Sequence, residues 1–152
     1  MTKDNSTRDI LWLFIATRVA LIIITYIAYI LLTAPQYSST PVDVVALFTT
    51  WNRWDAANYI RIAQHGYEQR VDLAFFPLFP LLISAISHLL GNWSYLLVGT
   101  LISNAALLGT LFLVYRLAVN ALDATTAQRT LLYLCIFPTA FFFFAAYNES
   151  LY

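Results

Sequence analysis

The sequence predicts an all-α integral membrane protein. Three observations carry that reading. Of the 152 residues, 61% are hydrophobic and only 11% are charged. The mean hydropathy is +0.70. Apolar runs long enough to cross a bilayer recur along the chain. Soluble domains run at roughly 45–50% apolar and about 25% charged, so the chain falls in the membrane class before any motif is read. Eight basic side chains balance eight acidic ones, and nothing in the sequence suggests a nucleic-acid partner, which would need a clustered basic surface.

Residues 10–32 (ILWLFIATRVALIIITYIAYILL) form the first span, interrupted only by Arg18 and two threonines. At about 1.5 Å per residue they cross a hydrocarbon core of about 30 Å. The apolar region of a signal peptide, about 7–15 residues, is shorter. Arg18 lies about 12 Å in from Ile10. It either snorkels to the nearer interface or is a charge held for a phosphate, because intramembrane ionisable groups usually face protein or water.

Residues 33–50 (TAPQYSSTPVDVVALFTT) read as a loop entering a short helix. The stretch WNRWDAANYIRIAQHGY (51–67) is expected to be helical up to Gly66, a helix stop. EQRVDL (68–73) is a short polar turn. FFPLFPLLISAISHLLG (75–91) carries Pro77 and Pro80 near its start. The segment after Pro80 is short for a crossing and suits an interfacial helix. Residues 93–115 (WSYLLVGTLISNAALLGTLFLVY) make a second full span, where Gly99, Ser103, Ala106 and Gly109 invite close packing of a neighbouring helix. An amphipathic loop (115–129) carries Arg116 and Arg129. A third span, about 130–147, ends in Tyr147-Asn148-Glu149-Ser150. Cys135, the single cysteine, reads as a small hydrophobe within that span. The sequence stops at Tyr152, straight after an aromatic run and before any polar stop signal, as a piece of a longer polytopic chain would.

Sidedness is read from the basic residues. With 75–91 lying flat, the N-terminus and the 116–129 loop share a side holding Lys3, Arg8, Arg116 and Arg129. The opposite side holds 33–92, where Arg53, Arg61 and Arg70 are offset by Asp43, Asp55, Glu68 and Asp72. The positive-inside rule then makes the first side cytoplasmic and favours three crossings over four. Asp55 and Glu149 fall on the extracytoplasmic side.

Asp55 is the residue most in need of explanation. On a helix it shares a face with Trp51, Asn58 and Tyr59, while Arg53 and Arg61 point elsewhere. It therefore lacks an in-helix cation that would make it an ordinary ion pair. Two readings stand: an N-cap, where aspartate is common, or a catalytic base, since a carboxylate among aromatics accepts protons more readily than one in water. Trp51, Trp54, Tyr59 and Tyr67 are equally interfacial anchors or platforms for a sugar ring. His65 precedes Gly66 and reads as a surface or capping histidine, with no second His or Cys at zinc-binding spacing. Glu149 either ends a helix at the interface or lines the same cavity as Asp55. Phosphate-binding, dinucleotide-binding and nucleophile-elbow glycine motifs are absent from the sequence.

Taken in order, WDAANYIRIAQHGY, AFFPLFPLL, LISNAALL and FPTAFFFFAAYNESLY resemble the PIG-V-type mannosyltransferase family. The resemblance runs from about Arg18 to Tyr152, and its specific part is W-D-x-x-x-Y-x-x-I-A-x-x-G-Y followed by F-F-P-x-F-P. It implies a GT-C-like polytopic helical bundle whose first extracytoplasmic loop carries interfacial helices and the active site. It implies transfer of mannose from a polyprenyl-phosphate carrier to a lipid-linked or glycan acceptor, by inverting displacement with Asp55 as base. The substrate-binding candidates become Trp54, Tyr59, His65, Tyr67, Tyr147 and Glu149, with Arg18 near the lipid phosphate. No cofactor is implied, and a divalent metal has no sequence support. The expected location is the cell membrane in a bacterium or the endoplasmic reticulum in a eukaryote, with the site extracytoplasmic or lumenal. Competing readings are a non-catalytic membrane assembly partner, a degenerate family member, or a transporter suggested by Arg18 and Glu149 near membrane depth.

Overall fold

The computed structural model describes residues 3–32 and 44–151. Every regular element among the described residues is helical: α1 (Lys3–Leu32), α2 (Val44–Thr49), α3 (Asp55–His65), α4 (Leu78–Leu89), α5 (Tyr95–Ala121) and α6 (Ala124–Ile136), with 3₁₀ segments at Arg70–Ala74 and Pro138–Phe143. Two helices are long and apolar enough to cross a membrane, over Ser6–Leu32 and Tyr95–Ala121. These are the first two expected spans. The loop expected over 33–43 lies outside the described residues.

The third expected span is not one continuous helix. The chain enters α6 earlier than expected, because Asp123 caps it: one carboxylate oxygen accepts from the Thr126 amide at 2.9 Å and the other from the Thr126 hydroxyl at 2.6 Å. The helix ends at Ile136 because Pro138 disfavours the α conformation in the residue before it. Phe137 accordingly sits at φ −57°, ψ 142°. The FPTAFFFF stretch continues as a 3₁₀ segment.

The chain divides into two compact units, Met1–Asp43 with Leu107–Phe141, and Val44–Ala106 with Phe142–Tyr152. In the first, α1 packs on α6, with Ile10 and Leu131 in its interior. The Tyr115 phenol donates to the Ser6 hydroxyl at 2.9 Å. Arg18 is buried here, its guanidinium 5.6 Å from the centre of the Phe14 ring. Most of the remaining α1 surface is apolar and exposed, including Trp12, Ile15, Ile23 and Ile27.

The second unit is built on the α3–α4 pair. Ala56, Tyr59, Ile60, Ile62 and Ala63 form the buried face of α3, at the three-to-four spacing of an amphipathic helix. Gly66 ends that helix at φ 84°, its amide donating to the Ile62 carbonyl at 2.8 Å, a backbone angle that suits glycine best. In α4, Pro80 falls in the first turn, where the missing N–H is tolerated. Phe79 and Ile83 point inward.

Candidate active site

The 66–75 turn is fixed first. Asp72 is fully buried, and its carboxylate accepts from both terminal nitrogens of Arg61 and from the Glu68 and Gln69 amides at 3.0 and 2.8 Å. Those donors hold its carboxyl at about 2, with the Arg61 hydrogen bond as the largest cause. Tyr67 closes the same turn by donating its phenol to the Phe75 carbonyl at 2.8 Å. Tyr59 lies inside, edge-on to Phe75 and Phe79 with ring centres 5.0 Å from each. It packs the interior of the unit.

At the other end of α3 the backbone is strained. The Ala56 amide donates to the Arg53 carbonyl at 3.1 Å, closing a turn with Trp54 and Asp55 at its centre. Trp54 adopts φ 49°, ψ −125°, the first central position of a type II′ turn, which normally takes glycine. A bulky residue there costs about 1–3 kcal/mol. Trp54 is 72% exposed. Asp55 is the first residue of α3 and not its cap. Its side chain is exposed, and among the described residues no donor reaches its carboxylate. His65 is exposed at the far end of the same helix.

The last stretch of the unit comes up beside this turn. Tyr147 is buried, and its phenol donates to the Arg53 carbonyl at 3.0 Å. Asn104, in the middle of α5, donates to the Phe144 carbonyl at 2.8 Å, and the Ser103 hydroxyl donates to the Tyr147 carbonyl. Gly99 lets this stretch of chain lie close: a Cβ there would stand 2.9 Å from the Ala146 Cβ. Glu149 reaches solvent, yet partial loss of hydration pushes its carboxyl up, and the nearby Asp55 carboxylate pushes it further. Asp55, Trp54, Tyr147 and Glu149 thus share one neighbourhood. Tyr59, His65 and Tyr67 lie elsewhere on the α3–α4 pair, and Arg18 belongs to the other unit.

Sequence reasoning missed Asp72, Ser103 and Asn104. An amide in the middle of an apolar span was a usable signal for Asn104, since polar groups at that depth need partners. Asp72 gave none, because its partner Arg61 lies eleven residues away.

The class these elements define is all-helical, with two helices among the described residues long and apolar enough to cross a membrane. The chain belongs to the mannosyltransferase (PIG-V) family, whose model matches residues 6–152. It is 35% identical over 123 residues to GPI alpha-1,6-mannosyltransferase 2 of Rattus norvegicus, covering 72% of this chain and 24% of the relative. It is 36% identical over 115 residues to the Mus musculus protein of the same name, covering 66% and 22%. The Cricetulus griseus protein is 35% identical over 132 residues, covering 76% and 26%. The chain therefore spans about a quarter of the length of these relatives. No solved structure matches it.

Proposed function

We propose that the chain carries the acidic site of a membrane mannosyltransferase and that Asp55 is its general base. The Asp55 carboxylate takes the proton of an acceptor hydroxyl. The acceptor oxygen bonds to the anomeric carbon of mannose as the bond from that carbon to the carrier phosphate breaks, and the electron pair leaves with the lipid phosphate. Attack and departure on opposite faces invert the anomeric centre, so a single base suffices and no sugar–enzyme bond forms. A solvent-exposed carboxylate that no donor among the described residues reaches is open to an acceptor hydroxyl. That exposure, within the W-D stretch of a family named for mannosyl transfer, is the observation that carries the reading.

Trp54, exposed next to Asp55, offers a flat apolar face to the sugar. Glu149, with its raised carboxyl, is suited to hydrogen-bond a sugar hydroxyl. The reading uses no nucleotide. It places Asp55 on the extracytoplasmic side of a multi-pass protein, with α1, α5 and the 130–147 segment as its three crossings and α4 as an interfacial helix, from the distribution of arginine and lysine. The donor class is tested by giving membranes that hold the full-length protein either polyprenyl-phosphate-mannose or a nucleotide-mannose. Transfer is expected from the lipid donor alone. Transfer from the nucleotide sugar in membranes stripped of carrier lipid sinks the proposed donor.

A second reading draws on the position of Asp55 in the first turn of α3, where a carboxylate is favoured by the helix dipole by about 0.3–1 kcal/mol. In that reading the chain is a non-catalytic membrane partner and Asp55 only steadies its helix.

A further inference from the structure

Among the described residues no side-chain hydrogen bond aims Asp55, so its direction is set by the backbone that carries it. That backbone is the turn closed by Ala56 N–H on the Arg53 carbonyl, with Trp54 strained at its centre. Strain of this kind persists only where the surroundings over-determine it. The Arg53 carbonyl accepts a second hydrogen bond, from the Tyr147 phenol at 3.0 Å, across 94 residues of sequence.

Tyr147 is itself held from behind. Its carbonyl accepts from Ser103 and the Phe144 carbonyl accepts from Asn104, both on α5. Its ring packs edge-on to Phe142 at 5.1 Å. The phenol is thus a fixed donor, buried to 3% exposure, on a fixed piece of chain. We propose that Tyr147 is a positioning residue, whose phenol clamps the Arg53 carbonyl, holds the strained Arg53–Ala56 turn and so aims the Asp55 carboxylate. The inference rests on Asp55 being the base. It gives Tyr147 a role distinct from contact with substrate: the hydroxyl that would touch a sugar is already engaged with the backbone.

The test is Tyr147→Phe in the full-length protein in membranes, which removes one oxygen and leaves the ring. Misplacement of a reacting group by about 1 Å can lower a rate by about a hundredfold. The expected result is a kcat at least about tenfold lower, with KM for donor and acceptor within about twofold of wild type. Backbone exchange at the Ala56 amide is expected to quicken, because the turn it closes is loosened. Wild-type kcat, or a raised KM with kcat unchanged, overturns the clamp. So does a fall in folded protein with unchanged turnover per folded molecule, the mark of a purely structural tyrosine. Should Tyr147→Phe fail to accumulate, Ser103→Ala loosens the same segment from further away and is expected to give the same split between kcat and KM. Asp55→Asn is run alongside. If it keeps full transfer, the base assignment falls, and Ala56 exchange in Tyr147→Phe still decides whether the clamp exists.

Discussion

At the scale of single residues, the ion pair of Asp72 and Arg61 makes the sharpest prediction. The Asp72 carboxyl stands at about 2 in the folded chain, against about 3.9 in an unfolded one. A depressed carboxyl contributes stability that is fully present above the unfolded value and is lost as pH falls through the folded one. The thermal midpoint of the detergent-solubilised protein is therefore expected to drop between about pH 4 and pH 2. Asp72→Asn is expected to melt several degrees lower at neutral pH and to lack its share of that acid-side drop. A variant as stable as wild type at pH 7 would contradict the role assigned to the pair. Asp55 drew attention in the sequence because it stands in a W-D stretch without a helical cation partner, and the exposed start of α3 is where the chain puts it. Asp72 did not, since nothing in local spacing links it to Arg61, and the engagement of Tyr147 with Arg53 depends on folding that brings distant segments together.

At the scale of elements, local chemistry set most boundaries. The first two spans and the end of α3 at Gly66 come from apolar length and from a glycine able to take positive φ. The start of α6 was equally readable in Asp123-Ala-Thr-Thr, a helix-capping pattern, but apolarity alone drew attention to a later start. Pro138 then breaks what hydropathy joins. An irregular stretch among apolar neighbours needs donors for its carbonyls, and Ser103 and Asn104 supply them. Gly99 belongs to the same contact. In Gly99→Ala the new methyl would meet the Ala146 Cβ at 2.9 Å and Ile83 Cδ1 at 3.1 Å. Ile83 can rotate, but Ala146 cannot move without its backbone. The variant is expected to lose about 1–3 kcal/mol, read as a lower melting temperature of the purified protein. An unchanged midpoint would show that the two segments are looser than the contact implies.

At the scale of the whole molecule, a membrane topology is joined to a chemical assignment. With Cys135 replaced by alanine, single cysteines at the exposed positions Leu89 and Asn120 are expected to be labelled from opposite sides of the membrane, Leu89 from outside. Labelling of both from one side would overturn the three-crossing arrangement. The helical class and the family were legible in composition and in two motifs, whereas the arrangement around Asp55 needed contacts between residues nearly a hundred positions apart. The central claim is that Asp55 removes a proton during transfer. It is tested most directly by assaying Asp55→Asn for mannosyl transfer from the lipid donor while its accumulation and melting are measured in the same membranes. Transfer is expected to fall by about a hundredfold or more, with insertion and stability near wild type. Transfer at the wild-type rate, or a loss explained wholly by unfolding, would contradict the claim.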